Sequence, residues 1–327
     1  MFGRERELRR LFTEIAIAML FFILFINVYS IFRYGQELVL YWFPRIVWLE
    51  CLTDIVCSLI YFLSFLLPAL IFHRLSQDKH TIVIKFGGEI PLSHSFWKTI
   101  AIFFVSLGAI IVMSYLNSWL LPPVSSVGEG MKMSRPYQVV LLVFSSAIVP
   151  AFCEELLFRG TILSALKPYG KGMAIIVSSL LFGLMHMNAA QLLYATAAGL
   201  VLGLVYVKTN SLLLCILIHF SNNMFNILES YRYEIFGSQT AWKICLLAEL
   251  VIFFVGILAI LIYACGKKNE QMPEKIGVFG ENKSLSFDTP MEGHRVVKQF
   301  FCPMMIVYIT AVLLNIVYLW YDKYLAR

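Results

Sequence analysis

The sequence predicts an all-α polytopic membrane protein built as a bundle of eight or nine transmembrane helices. Three observations carry this. The first is composition: of 327 residues 60% are hydrophobic and 14% charged, with a mean hydropathy of +0.78. A soluble domain is nearer ~45–50% apolar and about 25% charged. The second is the length of the apolar runs, several of which reach the ~20 helical residues that cross a hydrocarbon core about 30 Å thick. The third is their continuity. A membrane β-barrel would show short alternating segments in their place.

Taken in order, the runs predict helices at 11–32, 47–72, 96–121, 136–166, 172–188, 190–207, 211–229, 241–264 and 299–321. The first is longer than a signal-peptide core of ~7–15 residues and has no clear small-residue cleavage site after it, so a retained helix is expected. The fourth is too long for one simple span, which implies tilt or an extension past the bilayer. The fifth and sixth are short and nearly contiguous, so one of them is a candidate re-entrant segment, which would leave eight spans. The stretch 266–298 is rich in Gly, Lys, Glu, Asn and Pro and reads as a polar cytoplasmic loop. The chain therefore divides into N-terminal helices (1–135), a central core (136–229) and C-terminal helices with that loop (230–327). The seven cysteines form no CxxC pair and lie in or at the ends of apolar runs, as small apolar residues do.

With the N-terminus in the cytoplasm, inside segments carry 17 Lys and Arg and outside segments 8. The positive-inside rule thus orients the chain N-terminus in, and nine spans place the C-terminus outside. The basic residues between apolar runs set topology, so the net charge of +6 is no nucleic-acid footprint. The expected setting is a multi-pass protein of a bacterial plasma membrane.

Within this apolar background some polar residues are out of place. A charge at bilayer depth costs ~2.5–3.5 kcal/mol even on insertion scales, so it faces a bundle interior or cavity and usually serves function. The fourth helix reads SSAIVPAFCEELLFRGTIL and holds Glu154, Glu155 and Arg159. Glu155 and Arg159 are four apart and share a face. Pro150, one turn earlier, loosens the helix. The fifth helix places His186 four residues after Phe182, and the seventh places His219 and Asn223 on one face. At ~1.5 Å per residue, Glu154, His186, His219 and Asn223 lie about 18, 21, 12 and 18 Å from the cytoplasmic ends of their helices. Three helices thus deliver polar groups to one layer. Against this stands a plain structural reading: a Glu–Arg pair neutralises itself between helices, and a lone intramembrane His or Asn is commonly interhelical glue. Asp54 and Glu249 have no partner motif and are read as structural. Asn188 and Asn222 read as capping or packing residues, with Asn222 able to replace Asn223 if the helix is rotated.

EELLFRG at 154–160, FGLMH at 182–186 and HFSNN at 219–223 resemble, in order and spacing, the EExxxR, FxxxH and HxxxN motifs of a known family. This is the CAAX protease and bacteriocin-processing family of intramembrane endopeptidases, similar to type II CAAX prenyl endopeptidases. The resemblance covers roughly 140–226. It implies that Glu154 and His186 activate a water, that His219 and Asn223 form an oxyanion hole, and that Glu155 and Arg159 support the site. It further implies a peptide or protein substrate, lipid-modified ones included.

The chemistry of the residues is compatible. A partly buried carboxylate can act as general base. Donors aimed at a developing oxyanion are worth ~2.7–4 kcal/mol each. No Ser or Cys is paired with a base, which disfavours a covalent nucleophile. No cofactor is expected. A zinc ion held by Glu154, His186 and His219 is the alternative, opposed by the absence of HExxH and by the nearby Arg159. A different class of function, a transporter using the buried Glu–Arg–His network, would favour an inverted repeat, and none is found.

Overall fold

The computed structural model of the protein describes residues 2–43, 46–76, 95–120, 136–232, 240–267 and 291–324. Among these residues every element is helical: α1 (Phe2–Trp42), α2 (Val47–Ser76), α3 (Ser95–Leu120), α4 (136–169), α5 (Lys171–Met185), α6 (Ala189–Thr209), α7 (Leu212–Ser230), α8 (Ala241–Lys267), α9 (Gly293–Phe300) and α10 (Pro303–Tyr324). Seven of them are long and apolar enough to cross a membrane, and α9 with α10 counts as an eighth, bent by 71°. The expected all-α membrane bundle is observed.

The sequence reading is corrected at two places. The segment 172–188, one of the two offered by the sequence as re-entrant, is the 15-residue helix α5 and not the ninth span of the longer count. At ~1.5 Å per residue it reaches about 22 Å, short of the hydrocarbon core. It ends because Met187 turns left-handed at φ 49°, and α6 starts two residues later. The two helices form a tight hairpin with His186 at its tip. The second correction concerns the loop 266–298. Its start closes α8, and 293–300 is the amphipathic helix α9, which buries Val296 and Gln299. Arg295 of α9 pairs with Glu5 of α1 at 3.3 Å, and Phe300 packs edge-on to Phe12. Residues 268–290 of that loop lie outside the described residues.

The long fourth helix is continuous, and its irregularities have local causes. Pro150 has no N–H, and its ring crowds the carbonyl four residues back. The backbone answers with a π-turn at Phe144–Ile148, where the Val149 N–H bonds the Phe144 carbonyl five residues earlier. A second π-segment, Leu156–Leu163, comes directly after the paired glutamates. There Thr161 and Ser164 donate their hydroxyls to carbonyls five residues back. Such segments are rare and concentrate at functional sites. At the start of α7, Thr209-Asn210-Ser211 makes the turn. Asn210 is left-handed at φ 49°, and Ser211 caps the helix by accepting the Leu214 N–H.

One apolar core joins α1, α2, α4, α5, α6, α7 and α10, with Phe12, Phe22, Phe65, Phe72 and Phe158 almost wholly enclosed. Lipid tails are as apolar as these side chains, so close contact, and not expulsion from water, holds the helices together. The α5–α6 hairpin shows how. A Cβ on Gly183 would stand 2.0 Å from Thr196 Oγ1 and 2.7 Å from the Leu192 carbonyl, and one on Gly199 would stand 3.0 Å from Ser179 Cα. Helix α8 packs chiefly on α3, where Gly108 and Gly256 admit Phe253 and Phe104. It leaves Phe254, Ile257 and Leu261 exposed, as a lipid-facing surface requires.

Gly183→Ala is therefore expected to wedge α5 from α6 and cost about 1–3 kcal/mol, the usual range for overpacking. Gly172→Ala lies on the same helix with nothing within 4 Å of its Cβ, and it is expected to be neutral or slightly stabilising. Thermal unfolding of the two variants in detergent micelles checks the contrast.

Candidate active site

Helix α4 supplies two adjacent carboxylates. Glu154 is 5% exposed and Glu155 and Arg159 are essentially fully buried. The i, i+4 geometry foreseen for Glu155 and Arg159 is realised: Nη1 of Arg159 donates to Glu155 Oε1 at 2.7 Å. The guanidinium also donates from Nη2 to the Gly199 carbonyl of α6 at 3.3 Å. Its carbon stands 4.6 Å from the ring centroid of Phe182, a cation–π contact.

His219 of α7 is the junction. Its Nδ1 lies 2.8 Å from Glu155 Oε1, the same oxygen that accepts Arg159, and its Nε2 lies 3.8 Å from Glu154 Oε2. A carboxylate paired with a guanidinium is an acceptor, so Nδ1 carries the hydrogen. In the neutral ring Nε2 then presents a lone pair. In the doubly protonated ring it becomes a second donor. Glu155 is thus more than the neutralising partner of Arg159, because it also fixes the imidazole.

His186, at the tip of the α5–α6 hairpin, sets its Nδ1 2.8 Å from its own helix's Phe182 carbonyl. A carbonyl only accepts, so here too Nδ1 bears the hydrogen and Nε2 is left for other work. The Phe182 ring meets His186, His219 and Phe158 edge-on, with centroids 5.2, 5.9 and 5.2 Å away. The sequence marks Phe182 only as part of a motif. Its position shows a post against which the guanidinium and both imidazoles rest.

His186, His219, Asn222 and Asn223 line one cavity of about 50 Å³, closed by Phe182, Tyr194, Ala195, Ala198, Leu202 and Ile110. This is room for a few water molecules, each needing roughly 10–15 Å³ of such volume. Both asparagines reach it. Asn222 is buried and accepts the Tyr194 hydroxyl at 2.9 Å, and its amide lies 3.5 Å from Asn223 Oδ1. The sequence alternatives of Asn222 or Asn223 therefore share one wall. Glu154 is not among the lining groups and borders them through His219. Among the described residues no hydrogen bond or ion pair joins Glu154 to His186.

Three residues outside the motifs also enter. Tyr61 of α2 donates its hydroxyl to Glu154 Oε1 at 3.3 Å. Tyr194 orients Asn222, and Gly199 receives Arg159. Asp54 and Glu249, which the sequence reads as structural acids with no partner motif, have partners. Asp54 accepts from Arg33 and Gln36 at 3.3 and 2.5 Å, and Glu249 accepts from Tyr115. As for metal, no group of three or more His, Cys, Asp or Glu side chains among the described residues is gathered to hold an ion. Glu154, His186 and His219 do not form such a set.

With this geometry in place, residues 136–225 match the family model of "Type II CAAX prenyl endopeptidase Rce1-like" proteins. Over 93 residues the chain is 33% identical to YdiL of Bacillus subtilis (strain 168), a protein provisionally named as a membrane peptidase. That stretch is 28% of this chain and 37% of the relative. No solved structure matches the chain. The protein is a multi-pass membrane protein whose central helices, α4 to α7, carry the stretch that is similar to the Rce1-like endopeptidases.

The buried pair yields a prediction. Removing one partner of such a pair strands a charge and costs about 3–5 kcal/mol, whereas removing both can be nearly neutral. Glu155→Met and Arg159→Met are each expected to lower the melting midpoint sharply. The double variant should lose less than the sum of the two. A double-mutant cycle of thermal unfolding in detergent measures the difference.

Proposed function

We propose that the protein is an intramembrane endopeptidase that hydrolyses peptide bonds of membrane-associated substrates with a glutamate-activated water and no metal. The observation that carries this is the meeting of two carboxylates on one imidazole beside a small polar cavity. Water at the His219 edge of the cavity attacks the scissile carbonyl carbon while Glu154, which borders the cavity behind that ring, takes its proton. His186 holds the same water through Nε2. As the C=O bond becomes a C–O single bond, charge collects on oxygen. Asn223 donates to it from its amide and His219 from Nε2. His219 is a donor there when both ring nitrogens carry protons, and the Glu155 carboxylate at Nδ1 and the oxyanion itself then offset that charge. Collapse of the tetrahedral intermediate breaks the C–N bond, and the proton held by Glu154 passes to the departing amine. Arg159 neutralises Glu155, and Glu155 in turn fixes the His219 ring.

The Rce1-like match and the membrane-peptidase name of the relative support this reading. The substrate class by resemblance is a membrane-bound, lipid-modified or bacteriocin-type peptide. The distribution of Lys and Arg supports a cytoplasmic N-terminus.

Three measurements test the proposal. In N-terminal proteomics of membranes bearing wild-type or Glu154→Gln protein, a set of new N-termini should disappear in the variant while the protein remains inserted and folded. Persistence of those termini would exclude Glu154 as the base. Loss of one oxyanion donor, as in Asn223→Ala, should lower kcat about 10²–10³-fold. Cleavage should also survive chelators, and a loss that zinc restores would transfer the chemistry to a metal.

A further inference from the structure

Helices α1 and α2 lie outside the stretch that matches the family, yet one of their side chains touches the proposed base. Tyr61 of α2 donates its hydroxyl to Glu154 Oε1 at 3.3 Å, while Glu154 Oε2 faces His219 Nε2 at 3.8 Å. The two carboxylate oxygens therefore have different neighbours. A carboxylate on an otherwise apolar helix face would swing about its last torsion, which is broad and two-fold. A hydrogen bond to one oxygen stops that rotation. We propose that Tyr61 is a positioning residue: it holds Oε1 so that Oε2 alone is presented to the attacking water.

The tyrosine is itself held. Its ring lies 5.3 Å from Tyr29 of α1 and 5.1 Å from Phe65, and Phe65 lies 4.9 Å from Phe22 of α1. This cluster of edge-on and tilted rings carries the orientation of the hydroxyl back into the α1–α2 pair. The N-terminal helices thereby complete a site whose motifs all lie in α4, α5 and α7. A hydrogen bond to a charged group is stronger than one between neutral groups, so its loss should be visible in the chemical step.

The inference rests on the reading of Glu154 as base, and the experiment separates the two. An internally quenched peptide spanning a cleavage site found in the comparison of N-termini is offered to the full-length protein in proteoliposomes. Tyr61→Phe keeps the ring and its neighbours and removes only the hydroxyl. It is expected to lower kcat roughly tenfold or more, the scale of a lost hydrogen bond to a charged group, with KM within about twofold. Phe72→Leu trims a fully buried ring farther along α2, outside the Tyr61 ring contacts, and serves as the packing control. Its kcat should stay near wild type at temperatures below its melting midpoint. Unchanged kcat in Tyr61→Phe, or an equal loss of kcat in Phe72→Leu, overturns the role of Tyr61. Full activity of Glu154→Gln overturns the base itself, a separate failure.

Discussion

The site depends on a single oxygen atom. Oε1 of Glu155 accepts both the Arg159 guanidinium and the His219 Nδ1–H, each within 2.8 Å. In hydrocarbon an unpaired arginine and an unpaired glutamate would each be prohibitively placed. Together, with the Gly199 carbonyl and the Phe182 face as further partners, they can be enclosed. The third bond then ties α7 to α4. Charge compensation, which the membrane demands, and orientation of an imidazole, which the proposed hydrolysis demands, are served by the same contact.

That contact explains why the irregular backbone of α4 is tolerated. The pair spans Glu155 to Arg159, and the π-segment Leu156–Leu163 begins between them. A π-turn widens the helix and shifts the register of the residues beyond it. Unsatisfied carbonyls would be costly at this depth. Thr161 and Ser164 answer by donating hydroxyls five residues back, while the Arg159 side chain is held from three directions. The irregular backbone after the paired glutamates is thus met by the polar side chains of the same segment.

The range of each interaction decides how legible it is in the sequence. The i, i+4 pair on α4 is readable because helical periodicity alone fixes it. The convergence of three helices on one layer is readable as a depth count, since apolar run lengths set where each polar residue lies. The role of Glu155 is only half readable: its bond to Arg159 is local, whereas its bond to His219 spans 64 residues and needs the packing of α7 on α4. Tyr61 gives no signal, because a tyrosine in an apolar run looks like any interface or packing residue. The partners of Asp54 lie on a different helix from it, which no spacing rule reports. The end of α5 at Met185 escapes because apolar character runs on through Met187, and only the left-handed turn there stops the helix.

The α5–α6 hairpin shows that the charge network and the packing of small residues are one construction. Arg159 can reach a backbone carbonyl on α6 only if that carbonyl is uncovered. It is uncovered at Gly199, which has no side chain and lies against Ser179 of α5. Gly183, one turn before the hairpin tip, lets Thr196 and the Leu192 carbonyl close in on the other side. The hairpin that lifts His186 to the cavity is therefore the same surface that receives the guanidinium. A larger residue at Gly199 would act on both at once, separating the helices and pushing the Arg159 acceptor away. The glycines along this seam thus serve the site as directly as the polar groups do, since they set the distance across which the charges meet.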